Sequence, residues 1–343
     1  MDFQRLILFV IFAMSGVFLF QAWQKENAPP APPKPVAPIT APADAKSDVP
    51  TAVPAASGST TAAAGASSAP AGTVPSAATA PAAAAGELLT VKTDLFEAKI
   101  NTQGGVIEEV ALKEHRDAAD KSKPYLVLVK NKDRTHVAQS GLIGAGLPNH
   151  TTAYSKVSSN LDMGSAESLE VRLSAPNVSG GKSDLIYTFK RGSYIVDVAY
   201  DITNGSAVAI NPGAYFHLHR DTKITGSENG MVGIFHGPAV YTDQDKYKKL
   251  DFKDIEKGKK GLYTAATDNG WVGTVEHYFV NAWLPKPGMK RDYYTTKEDG
   301  DMYRAGLKAA VGEIPPGATG KISVPIYMGP QEQDRLKAAA TGL

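Results

Sequence analysis

The stretch LIYTFKRGSYIVDVAYDIT, residues 185–203, decides the fold class. Leu185, Tyr187 and Phe189 fall on one side of an extended chain, Arg191-Gly192-Ser193 supplies turn residues, and YIVDVAYDIT resumes the alternation until Asn204-Gly205. Side chains of period two flanking a short glycine-containing turn predict a β-hairpin. The pattern continues outward in both directions. Leu169, Val171 and Leu173 alternate in LEVRL, and Phe96, Ala98 and Ile100 alternate in FEAKINT, which runs into a turn at Gly104-Gly105. Short strands at regular spacing, without helical segments between them, predict an all-β sandwich rather than an α/β fold. The exception is the C-terminus. There Gly329-Pro330 and QEQDRLKAAATGL predict a helix over 330–343, with proline in its first turn and Gly342 near its end.

Composition narrows what such a domain can do. Lys and Arg number 36 against 35 Asp and Glu, and no basic run is interleaved with aromatics, so nucleic acid is excluded as an expected partner. The absence of cysteine removes disulfides, thiolate catalysis and the common structural zinc sites.

The first part of the chain has a different texture. From Leu6 to Trp23 no residue is charged, and a helix of that length spans roughly 27 Å, close to the hydrocarbon thickness of a bilayer. Trp23 suits the headgroup level, and no small-x-small cleavage step follows, so a retained membrane anchor over 6–23 is expected rather than a cleaved signal peptide. Arg5 on one side and Lys25 and Lys34 on the other do not set its orientation. The tract 24–86 follows; from Asn27 to Gly86 it holds twelve of the chain's 23 prolines, four charges and no aromatic residue. It cannot bury enough apolar surface to offset the entropy of ordering, which predicts a disordered tether.

Six blocks, in order, resemble the YidC membrane protein insertase family: MDFQRLILFVIF with FQAWQ, VKTDLFEAKINTQGG, FKRGSYIVDVAY, HGPAVYTDQDKYKKLDF, NGWVGTVEHYFVNAWLP and YMGPQEQDRLKAAATGL. The resemblance implies a cytoplasmic N-terminus at 1–5, one inner-membrane helix, and a periplasmic β-supersandwich similar to sugar mutarotases over 87–329. The C-terminal helix would lead toward an insertase core that this chain does not contain. It also implies nascent inner-membrane proteins and Sec translocon components as partners, membrane lipid contacted through 6–23, no cofactor, and no enzymatic activity.

Two local stretches raise the question of chemistry. In WVGTVEHYFVNAWLP, residues 271–285, an unbroken strand would place Trp271, Val275, His277, Phe279 and Trp283 on one face, so that Glu276 and His277 point apart. A helical stripe of Val272, Val275, Phe279 and Trp283 is the other local reading. Either way Trp271, Phe279 and Trp283 are expected to be an aromatic core, with a ligand pocket or catalytic pair as the lesser readings. In YFHLHRD, His217, His219 and Asp221 share one side of a strand. Two histidines without a spaced third ligand specify no metal, and a solvated strand face is expected there. A membrane-anchored carbohydrate-binding or epimerising domain stands as the alternative function.

Overall fold

The computed structural model describes residues 86–223 and 235–343. The expected anchor with its termini Leu6 and Trp23, and nearly all of the tether, lie outside the described residues.

Eighteen strands and two short helices are present among the described residues. In chain order they begin with β1 (Leu88–Lys92), β2 (Phe96–Asn101), β3 (Val106–Arg116), β4 (Pro124–Lys130), β5 (Thr135–Ile143), β6 (Ser155–Lys156) and β7 (Ser168–Pro176). They continue with β8 (Gly181–Lys190), β9 (Ile195–Asn204), β10 (Gly213–Asp221), β11 (Gly237–Thr242), β12 (Lys246–Lys249) and α1 (Phe252–Glu256). The last are β13 (Ala266–Thr267), β14 (Trp271–Val275), β15 (Phe279–Trp283), β16 (Arg291–Lys297), β17 (Met302–Ala310), β18 (Thr319–Pro330) and α2 (Gln333–Ala339).

These strands form two nine-stranded sheets. The first has the order β1-β2-β3-β4-β5-β10-β17-β16-β13, the second β12-β11-β14-β15-β18-β9-β8-β7-β6. The fold is an all-β sandwich with a short C-terminal helix. Its hairpin at 181–204 shows why the sequence folds this way: Phe189 pairs with Val196 and Tyr187 with Val198, and β9 alternates buried and half-buried residues throughout its length. Gly192 turns the chain with φ 71°, a conformation that a β-carbon disfavours.

The core lies between the sheets. Phe216 of β10 meets Trp283 of β15 with ring centroids 5.2 Å apart, and Tyr125 of β4 stacks on Phe279 at 3.8 Å. Trp283 is 1% exposed. Truncation of so large a buried ring leaves a cavity, so Trp283→Ala should cost about 3–5 kcal/mol of unfolding free energy; a urea titration showing a loss below about 1 kcal/mol would contradict this placement.

Two expectations about the aromatic stretch and the C-terminus need correction. Residues 271–285 are neither one strand nor a helix. They form the hairpin β14–β15, in which Val272 pairs with Trp283 and Val275 with Val280. Directly paired residues share a face. Trp283 therefore lies with Val272 toward the first sheet, and Trp271 lies on the opposite face. There it stacks with Tyr241 at 6.3 Å and its Nε1 donates to the Thr341 carbonyl at 3.2 Å. The three-residue connection Glu276-His277-Tyr278 reverses the parity that a continuous strand would have kept. Pro330 likewise is not in a helical first turn. It ends β18 opposite Phe279, where the adjoining ladder bond is donated by the Gln331 N–H to the Tyr278 carbonyl, and the helix starts at Gln333.

Candidate functional site

Glu276 sits in the β14–β15 connection, 3% exposed, and faces charged and polar groups of the first sheet. Its Oε1 lies 3.4 Å from Arg220 Nη1 and 3.7 Å from Arg134 Nη2, and Tyr125 donates its hydroxyl to Oε2 at 2.9 Å. Burial lowers the Arg220 guanidinium from its ordinary value, opposed by the Glu276 charge. His136 Nδ1 is 3.7 Å from the same carboxylate, yet burial and the two arginines hold this ring well below its ordinary pKa, so it is a neutral neighbour. Its Nε2 meets Thr274 Oγ1 at 2.8 Å. Gln331 then ties the chain after β18 to the same turn: its side-chain amide donates to the Glu276 carbonyl at 2.6 Å and the Phe279 carbonyl at 3.1 Å, and its backbone N–H to the Tyr278 carbonyl at 2.7 Å. The Glu276 carboxylate is thus engaged by groups of the first sheet. The carboxylate joins the two sheets, and His277 lies against the exposed Tyr278 ring at 3.8 Å.

The histidines of β10 are the second cluster. A solvated face was expected for His217 and His219, and this is overturned: His217 is fully buried and the His219 side chain is 13% exposed. The cause is strand register. Gln139 of β5, His217, Gly306 of β17 and Tyr294 of β16 form one row across four strands. Gly306 leaves the space over which the row closes, since a β-carbon there would stand 2.3 Å from that of His217. His217 Nε2 meets Gln139 Oε1 and Nδ1 meets the Tyr294 hydroxyl, both at 2.7 Å. In the next row His219 Nε2 lies 3.1 Å from Glu298, which also binds Arg304 Nη2 at 2.9 Å. His150 closes over the cluster, its Nδ1 bonded to the Tyr215 hydroxyl and its ring 5.7 Å from that of His217. Burial and Arg304 push His150 down to about 3 and His219 to about 4, and hold His217 well below its ordinary value.

Asp221, the third residue of YFHLHRD, accepts from the backbone N–H groups of Thr135 and Lys223 at 2.6 and 2.9 Å. Among the described residues no group of three His, Asp or Glu is placed to hold a metal. With both ring nitrogens of His217 engaged, its replacement strands Gln139 and Tyr294. His217→Ala should therefore destabilise the domain by about 2–4 kcal/mol, measured by thermal or urea unfolding, and an unchanged midpoint would show the row to be dispensable.

Of the expected aromatic residues, Trp283 and Phe279 lie between the sheets and Trp271 under the C-terminal segment; Phe279 is 7% exposed and Trp271 1%. On Trp271's face, β12, β14, β15 and α2 enclose a groove of about 560 Å³ lined by Phe235, Tyr247, Lys249, Val280, Leu336 and Leu343. Arg220, Arg134, Tyr125, Tyr294 and Gln139 were not singled out from sequence. Their partners lie between 56 and 151 residues away along the chain, and the local hint was a charge inside an apolar strand, as in HLHRD.

A family model described as the YidC periplasmic domain matches residues 88–343. The chain belongs to the YidC family. Proteins named membrane protein insertase YidC from Nitrosospira multiformis and Aromatoleum aromaticum are 38% and 41% identical to it, over 100% of this chain and 61% and 60% of their own lengths. The chain thus spans about 60% of the length of the curated relatives it matches. A galactose mutarotase-like protein from Lactobacillus casei aligns over 71% of this chain and 100% of its own, with 12% identity and a TM-score of 0.44. The YidC periplasmic domain here is therefore the sandwich of two nine-stranded sheets, joined through Glu276 and closed at its end by Gln331 and α2.

Proposed function

We propose that this chain is the membrane-tethered, periplasmic portion of an insertase and chaperone that assists insertion and folding of inner-membrane proteins, alone or with the Sec translocon. The observation that carries the reading is the match along the whole chain to relatives named as YidC insertases. On this reading residues 1–5 are cytoplasmic, 6–23 cross the inner membrane once, 24–86 tether, 87–329 form the periplasmic sandwich and 330–343 lead toward the insertase core. The domain binds and positions; it performs no covalent chemistry. Support for that comes from His217, whose two ring nitrogens are committed to Gln139 and Tyr294.

The absence of cysteine makes topology directly measurable. Val178→Cys, at a position 87% exposed, should react with a membrane-impermeant maleimide in intact spheroplasts, and reaction only after lysis would overturn the periplasmic placement. A path for a client through the bilayer must shelter polar groups among several helices, and the tract 6–23 offers one uncharged segment. Residues 1–343 reconstituted alone should accordingly leave a YidC-dependent client unprotected from protease, at the level of empty liposomes. Protection above that background would place insertion in this portion.

A further inference from the structure

We propose that β12, the edge strand of the second sheet among the described residues, with the turn after α1, is a docking surface for the headgroups of an anionic bilayer. The inference rests on the membrane-tethered reading above. Between Asp245 and Lys260 the chain carries seven lysines against four acidic residues. All four residues of β12, Lys246-Tyr247-Lys248-Lys249, are exposed at the end of the second sheet. The four acids offset only part of this charge and leave an excess of three positive charges. Asp245 accepts from the Thr264 N–H at 2.5 Å and the Thr242 hydroxyl at 3.3 Å, Asp254 holds Lys259 at 3.3 Å, and Glu256 holds Lys297 at 2.6 Å. Lys246, Lys248, Lys257 and Lys260 make no salt bridge among the described residues. Tyr247, 39% exposed, rests its ring on Trp271 at 5.8 Å and presents an amphipathic edge beside the lysines, the pairing of aromatic and basic side chains that suits the membrane interface.

Lysine on an edge strand also blocks strand-to-strand pairing, but that purpose does not account for the further lysines beyond α1. Basic residues near an anionic surface each raise partitioning by about fivefold, and the effect fades within a Debye length. A tethered domain held close to a bilayer needs only a few of them to settle with one edge down.

The full chain can be tested in nanodiscs, since a single introduced cysteine is unique. Lys248→Cys carrying an environment-sensitive fluorophore should shift to the blue in discs containing phosphatidylglycerol and be quenched by a lipid spin-labelled near the headgroup. Both effects should vanish in phosphatidylcholine discs, in 0.5 M salt, and in the Lys249→Glu/Lys257→Glu variant. The same label at Val178→Cys, near the opposite edge of the second sheet, should respond to none of these. Equal signals at the two positions, or a Lys248 signal indifferent to lipid charge, would overturn the proposal. So would a shift that appears only when an acidic protein is added, which would assign the edge to a protein partner. Spheroplast labelling at Val178 reports the tethered reading independently, so failure of one is distinguishable from failure of the other.

Discussion

Replacing Glu276 by Gln should lower the unfolding free energy by about 3–5 kcal/mol, because it leaves the Arg220 guanidinium buried between the sheets without its counter-charge. Arg220 would retain its backbone acceptors, the carbonyls of Asp221 at 2.8 Å and Lys223 at 3.1 Å, but neither neutralises it. The Tyr125 hydroxyl can still donate to the amide oxygen, so most of the loss should be electrostatic rather than a loss of hydrogen bonding. Glu276→Asp, which keeps the charge on a shorter arm, should lose less. Because Gln331 grips the same turn, hydrogen exchange in the Glu276→Gln variant should rise at Gln331 and Leu336 as well as in β14 and β15. A variant within about 1 kcal/mol of the parent in urea would show that the buried charge pair does not hold the sheets together.

Acidification should begin to destabilise the domain below about pH 6.5, before most carboxylates protonate. His150, His217 and His219 are held neutral in the fold, with His150 at about 3 and His219 at about 4, whereas in the unfolded chain they would titrate near 6.5. Between these values the unfolded state binds more protons. Stability is thus complete above about pH 6.5, falls as the pH drops below it, and levels off for His219 and then His150 once the folded pKa values are passed. By pH 4.5 each of the three rings should contribute a loss of up to about 2.5 kcal/mol. The charged groups acting on these rings include Arg304, Glu298 and Lys130, so protonation would add positive charge beside an arginine already paired. His150→Gln should flatten the pH dependence, although it alters one bond to Tyr215. Equal urea midpoints at pH 7.5 and 4.5 would refute this account.

Local pattern carried the fold class a long way. FEAKIN reads as buried and half-buried in strict alternation in β2, and LEVRL places its alternate residues inward as period two requires, whereas in LIYTF Ile186 of the other face is buried as well. The hairpin at Gly192 follows from the same rule plus a turn residue. That information is local, because a strand's own sequence records which of its faces meets apolar surroundings. The order of six blocks specified the family for the same reason, residue by residue, without any need of contacts.

Which strand lies beside which, and what each face finally meets, could not be read that way. His217 belongs to an alternating segment whose odd face is expected to meet water; it is buried because Gln139, Gly306 and Tyr294 arrive in one row from three other strands. Trp271 and Trp283 look equivalent in sequence, yet the three-residue connection places them on opposite faces of the sheet. Glu276 gives no local sign that Arg220 awaits it from the other sheet, 56 residues away. The sequence by itself determined the periodicity of each strand and the membership of the family, because both are properties of short stretches. Tertiary structure alone decided the partners of the buried polar groups, because an unpaired charge or ring nitrogen in the interior must be satisfied by whatever the sheet register brings to it.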